Sequence, residues 1–173
     1  MRANREGVPV VLVVEDDTWW LQEVLRALAA RQVSSGIQFA VITAFDAFSV
    51  IQDWDKLAAN GLAPDIILMD GTASGRDNAP QIHNIRGKGF NGSIIAMSLR
   101  QDTNETLVAL GANCSIKRWR REKGHGHEKD KREAAVIAVA LLKSAMRVGP
   151  DTALTCEEID AISANKPEAP SLA

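Results

Sequence analysis

Short apolar runs recur along the chain, and between them the spacing of apolar positions changes from continuous to helical. Residues 8–14 (Val-Pro-Val-Val-Leu-Val-Val) are an almost unbroken β-branched run, the pattern of a strand buried on both faces. From 18 to 31, Leu21, Val24, Leu25 and Leu28 fall on one helical stripe, which Ser34-Ser35-Gly36 breaks. Residues 37–44 predict a second strand. Asp46 is placed to cap a helix carrying Ala47, Val50, Ile51 and Trp54, and Asn60-Gly61 ends it. Residues 66–69 are a third strand, 71–79 a loop, and a short helix is expected over about 80–86. Residues 93–98 (Ser-Ile-Ile-Ala-Met-Ser) predict a fourth strand. Asp102 with Glu105 three residues on has the spacing of a capping box for a helix that Gly111 closes. Residues 113–117 are a fifth, short strand, and a last helix is expected from about 131 to 148, stopped by Gly149-Pro150.

Strand and helix therefore alternate five times. Parallel strands need crossovers, so this order predicts an α/β fold with helices on both faces of a parallel sheet. Five units in this length fit a flavodoxin-like, doubly wound five-stranded sheet. The expected organisation is one domain over residues 1–149, with a basic insertion at about 118–132, then a tail over 150–173. In that tail Thr155 and Glu158 have capping-box spacing, Leu154 and Ile159 can form a hydrophobic staple, and residues 165–173 read as disordered.

Composition narrows the class. The 173 residues are 46% hydrophobic with a net charge of −2, enough for one sizeable core and without a global bias toward nucleic acid or membrane. Cys114 and Cys156 have no metal-ligand spacing and form no disulfide framework. Residues 134–142 are the longest apolar run, well short of the ~20 needed to cross a bilayer. The expectation is a soluble cytoplasmic protein without membrane insertion. The segment 117–132 is strongly basic and includes Gly124-His125-Gly126-His127. It reads as a solvated excursion or a contact for an acidic partner, and it lacks a nucleic-acid recognition motif.

The chemistry lies at the strand ends. The first strand ends in Glu15, Asp16 and Asp17, the third in Asp70, the fourth in Ser98 and the fifth in Lys117. A parallel sheet puts all these ends on one edge, where open α/β sheets bind ligands. Clustered carboxylates repel unless a cation joins them, and hard oxygen ligands with room for water suit Mg²⁺. Asp70 is then a candidate nucleophile, Lys117 a point charge for phosphoryl oxygens, and Ser98 a hydroxyl donor to them. The set suits formation of an aspartyl phosphate.

In these residues the sequence resembles the receiver domains of two-component response regulators, over residues 8–148. Val11-Leu12-Val13-Val14-Glu15-Asp16-Asp17 is similar to the family's first strand and acidic pair, and Pro64-Asp65-Ile66-Ile67-Leu68-Met69-Asp70 to its phosphoacceptor strand. Ser98 resembles the family's switch hydroxyl, and Gly111-Ala112 with Lys117 its final strand. The resemblance implies Asp70 as phosphoacceptor and Mg²⁺ held by Asp16 directly, by Glu15 through water, by Asp70, and by the Thr72 carbonyl. It implies a single-domain response regulator, not a classical enzyme, that takes phosphate from a histidine kinase or phosphotransfer protein. Its output would be contact with a downstream protein target, or phosphate-sink behaviour. The chain departs from the pattern at Leu99, Cys114 and Arg118, where the family has a small residue, an aromatic and a proline. Those departures keep open a degenerate receiver that acts as a phosphorylation-independent interaction module. A haloacid-dehalogenase-type phosphatase fits poorly, because that family wants a second aspartate where Thr72 stands. The last helix is apolar almost all round. Cover by the tail and a homodimer or partner interface both stay open, and one of Trp19 and Trp20 is expected to face outward.

Overall fold

The computed structural model describes residues 8–118, 126–145 and 155–165. Strand β1 (Val10–Val14) leads to helix α1 (Thr18–Ser35), β2 (Ala40–Ala44), α2 (Ala47–Ala59) and β3 (Ile66–Asp70). A small hairpin follows, β4 (Thr72–Ala73) and β5 (Arg76–Asp77), then α3 (Ala79–Gly87), β6 (Ser93–Ser98) and α4 (Gln101–Ala109). The chain closes with β7 (Cys114–Lys117), α5 (Gly126–Ala145) and α6 (Cys156–Ala164). The five long strands form one parallel sheet in the order β2-β1-β3-β6-β7. This is the doubly wound, flavodoxin-like architecture that the alternating pattern predicts.

The period of two in the strands builds two cores. Val11 and Val13, Ile66 and Leu68, Ile95 and Met97, and Cys114 and Ile116 pack with α1, α5 and α6. Leu12 and Val14, Ile67 and Met69, and Ile94 and Ala96 pack on the other face, with α2, α3 and Leu107 of α4. Successive side chains point to opposite faces, so every strand end inherits a side of the sheet from its register. That register decides which polar residues meet.

Several boundaries differ from expectation for identifiable reasons. Helix α1 runs on to Ser35 because Gly36, at φ 71°, is the residue that can take the left-handed cap. Residues 37–39 precede β2 and are not part of it. The loop after Asp70 contains a two-residue hairpin: Ala73 pairs with Arg76, and Ser74 (φ 54°) and Gly75 (φ 71°) turn the chain. Positive φ at both turn residues matches the twist of a tight hairpin. Asp102 does not cap α4. The cap position is Arg100, whose guanidinium is engaged with the Asp102 carboxylate.

Helix α5 begins at Gly126, five residues before the expected start, so the basic stretch up to Arg132 is partly helical and the excursion is shorter than predicted. Lysine, arginine and glutamate are good helix formers, and their charge had suggested a loop. The tail forms α6 with Thr155 and Glu158 in a reciprocal capping box. Ile159 and Ile162 of α6 are buried in the core shared with α5, so the tail covers part of that helix. Leu154, the last residues of the expected α5 and residues 166–173 lie outside the described residues. Trp20 is fully buried and Trp19 is exposed. No helix among the described residues is long and apolar enough to cross a membrane.

Candidate functional site

Glu15, Asp70 and Arg118 continue one strand register each: Val11-Val13-Glu15, Ile66-Leu68-Asp70 and Cys114-Ile116-Arg118. All three emerge at the carboxyl edge of the sheet on the side of α1 and α5. Asp16, one residue out of phase with Glu15, is exposed at the rim. One oxygen from each of Glu15, Asp16 and Asp70 lies within 4.8 Å of the others, a group able to hold a divalent metal.

Each carboxylate is oriented by backbone. Glu15 Oε1 accepts the N–H of Asp17 at 2.8 Å. Asp17 in turn caps α1, its Oδ1 accepting from Trp20 N at 3.1 Å, so it belongs to the helix start. Asp16 Oδ2 accepts the N–H of Ser74 at 2.6 Å, which ties the hairpin tip to the acidic rim. The Ser74 hydroxyl donates to the Phe45 carbonyl at 3.3 Å.

Asp70 is buried at the end of β3. Buried Asn78 donates from Nδ2 to the Asp70 carbonyl at 3.0 Å, and its own N–H donates to the Gly71 carbonyl at 2.9 Å. Asn78 Oδ1 also accepts from Ala47 N at 3.3 Å, so its side chain joins the end of β3 to the start of α2.

Burial pushes the Glu15 carboxyl up from 4.5 to about 7; Arg118 pulls the other way, and Asp70 adds a further upward push. Burial likewise raises Asp70 from 3.8 to about 6, opposed first by Arg118 and then by the backbone N–H of Thr72. Two raised carboxyls in one cluster mark a place that favours added positive charge.

That charge is supplied by Arg118. Its Nη1 donates to Glu15 Oε2 at 3.0 Å and lies 3.6 Å from Asp70 Oδ2. Nη2 is 3.9 Å from Asp17 Oδ2, and Nε is 3.6 Å from Glu133 Oε1 on α5. The guanidinium stacks 4.5 Å from the ring centroid of Trp20. Its backbone N–H extends the sheet, donating to the Ser98 carbonyl at 2.9 Å.

Lys117 is placed differently. It pairs with Ser98 in the β6–β7 ladder, but its side chain is exposed and out of phase with Cys114 and Ile116. The predicted cation thus stays outside the carboxylate cluster, and its neighbour enters it. The signal was present in the alternation: position 118, not 117, follows the buried register.

Ser98 is buried at the end of β6 on the α4 side. Its Oγ accepts from Arg100 N at 3.2 Å, and its carbonyl accepts from the buried Asn104 Nδ2 at 3.2 Å. It stands beside Gly71, where a Cβ would lie 3.4 Å from Ser98 Cβ and only 2.7 Å from Thr103 Cγ2. Glycine at 71 is what lets β3 and α4 approach at the site. Thr72 is exposed in β4. Cys114 is fully buried, with burial raising its thiol to about 12, and Leu99 is exposed.

The architecture is a five-stranded α/β sheet with an acidic pocket at the carboxyl edge. No family model matches the sequence, and no curated protein matches it. Solved structures do align. The Mn²⁺-bound form of the response regulator Rcp1 aligns at 20% identity and TM-score 0.56, over 73% of this chain and 92% of that one. The phosphorylated cyanobacterial phytochrome response regulator RcpA aligns at 18% identity and TM-score 0.59, over 75% and 91%. A LuxR-family two-component response regulator from Aurantimonas sp. SI85-9A1 aligns at 19% identity and TM-score 0.56, over 92% and 97%. The chain has the receiver-domain fold of response regulators.

Proposed function

We propose that the protein is a receiver that accepts a phosphoryl group on Asp70 from a histidine kinase or phosphotransfer protein. The observation that carries this reading is the convergence of Glu15, Asp16 and Asp70 at the carboxyl edge of a receiver fold. In the transfer step an Asp70 Oδ attacks phosphorus. The O–P bond forms as the donor's N–P bond breaks, and the electron pair leaves on the imidazole nitrogen. The chain's part is placement and charge balance. Asn78 and the hairpin fix the acceptor strand end, Gly71 keeps the approach to β6 tight, and Ser98 lies at the neighbouring strand end.

The donor set fits a hard divalent cation. The carboxyl groups of Glu15, Asp16 and Asp70 converge beside one guanidinium that Asp17 and Glu133 also approach, and all candidate ligands are oxygen. Mg²⁺ held by Glu15, Asp16, Asp70 and the Thr72 carbonyl would supply neutralisation of the oxyanions during transfer. Output would pass to a downstream protein target, or the protein would drain phosphate from a relay, in the cytoplasm.

A second reading is kept by one observation: Arg118 already pairs with Glu15 and approaches Asp70. On that reading the pocket is structurally satisfied, and the protein is an interaction module independent of phosphate. Incubation with a small phosphodonor and Mg²⁺ separates the two. A mass gain of about 80 Da that disappears in Asp70→Ala supports the receiver. No gain in the wild type, or an undiminished gain in Asp70→Ala, supports the module.

A further inference from the structure

One nitrogen of Arg118 sits between the two buried carboxylates of the pocket, 3.0 Å from Glu15 and 3.6 Å from Asp70. Its Cζ lies 4.5 Å from the Trp20 ring centroid, and its other nitrogens face Asp17 and Glu133. Its side chain is 12% exposed, and that of Glu15 is 0%. A guanidinium over a ring and among several carboxylates has alternative partners within a small displacement. Lys117 is exposed, because its register turns it to solvent.

We propose that Arg118 is the resident counter-ion of the acidic pocket. It holds Glu15 in the metal-free protein, yields Glu15 to an arriving divalent cation, and turns the released N–H groups toward oxyanions on Asp70. Arg118 is thus a positioning residue, and the second half of its role rests on the phosphoacceptor reading. Because Nε faces Glu133, the same movement reaches α5. Site occupancy is thereby linked to a helix by an ion pair, in a chain whose position 114 is a buried cysteine.

The test compares the wild type with Lys117→Ala and Arg118→Gln, first with Mn²⁺ alone and then with beryllofluoride and Mg²⁺. Removing a positive charge beside the metal ligands should tighten Mn²⁺ binding about 10-fold in Arg118→Gln, and Lys117→Ala should stay within about 2-fold of wild type. Beryllofluoride should bind the wild type and Lys117→Ala alike, and Arg118→Gln at least about 30-fold more weakly. If Arg118→Gln does not fold, Arg118→Gln with Glu133→Gln also removes the carboxylate that faced the guanidinium and is read in the same way.

Equal Mn²⁺ affinity in wild type and the Arg118 variant overturns the proposal, as does a beryllofluoride loss that follows Lys117 instead. If the Mn²⁺ order holds and the wild type takes no beryllofluoride, the counter-ion assignment stands and the phosphoacceptor reading fails.

Discussion

The acidic and basic halves of the pocket are built in different ways. Glu15 and Asp70 end central strands, β1 and β3, whose every residue is buried. Their side chains leave the sheet in directions fixed by neighbours on both sides. Arg118 follows β7, an edge strand with an exposed residue at its end, and it is held by the carboxylates themselves as much as by the sheet. The acidic half is therefore scaffolded and the basic half is paired. Changes in the first should remove chemistry with little loss of fold, and changes in the second should cost stability.

The largest expected effect is on chemistry. Asp70→Ala should abolish phosphoryl incorporation by mass spectrometry while the far-UV circular dichroism stays native. Unfolding of this variant would erase the contrast between the halves.

Next is the counter-ion. Arg118→Gln leaves buried Glu15 and Glu133 without their guanidinium and should destabilise the metal-free protein by about 3 kcal/mol in urea unfolding. Lys117→Ala, at an exposed site, should stay within about 0.5 kcal/mol of wild type. Equal losses would mean that the two basic residues share the role.

Asn78→Ala probes the scaffold itself. It removes a fully buried amide that joins β3 to α2, and it should cost about 2 kcal/mol, with phosphoryl incorporation slowed rather than abolished.

The smallest effect is a pH slope. The Glu15 carboxyl is raised in the folded protein from 4.5 to about 7, so its contribution is fully present below about pH 4.5 and is lost as pH rises through about 7. In chelator, the stability of wild type relative to Glu15→Gln should therefore fall between those pH values and level off above them. A flat difference would mean that Arg118 offsets the whole cost of burying the carboxylate.

These contrasts also show what the sequence carried. The strands β1, β3 and β6 were legible because β-branched runs buried on both faces have few alternatives, and the residues that end them followed directly. Asp46 was legible as a cap because the next helix starts beside it. Lys117 was read as the cation at the fifth strand's end; it is exposed, and Arg118 continues the alternation of Cys114 and Ile116. Asn78 carried no such signal, since its two side-chain partners, Asp70 and Ala47, come from separate elements. The Ser74-Gly75 turn was hidden because strands of two residues have no periodicity to read. The start of α5 was obscured by charge, which favours a solvated helix as readily as a loop.

The ion pair between Glu15 and Arg118 joins residues 103 positions apart. During synthesis from the amino terminus, β1 and β3 emerge with their carboxylates well before the arginine exists. Closing so long a loop is slow relative to local helix formation. The nascent sheet must therefore tolerate its negative edge alone from the end of β3 until the residue after β7 is made, and a divalent cation is a chemically suitable stand-in. A metal held there would then matter first to how quickly the chain matures.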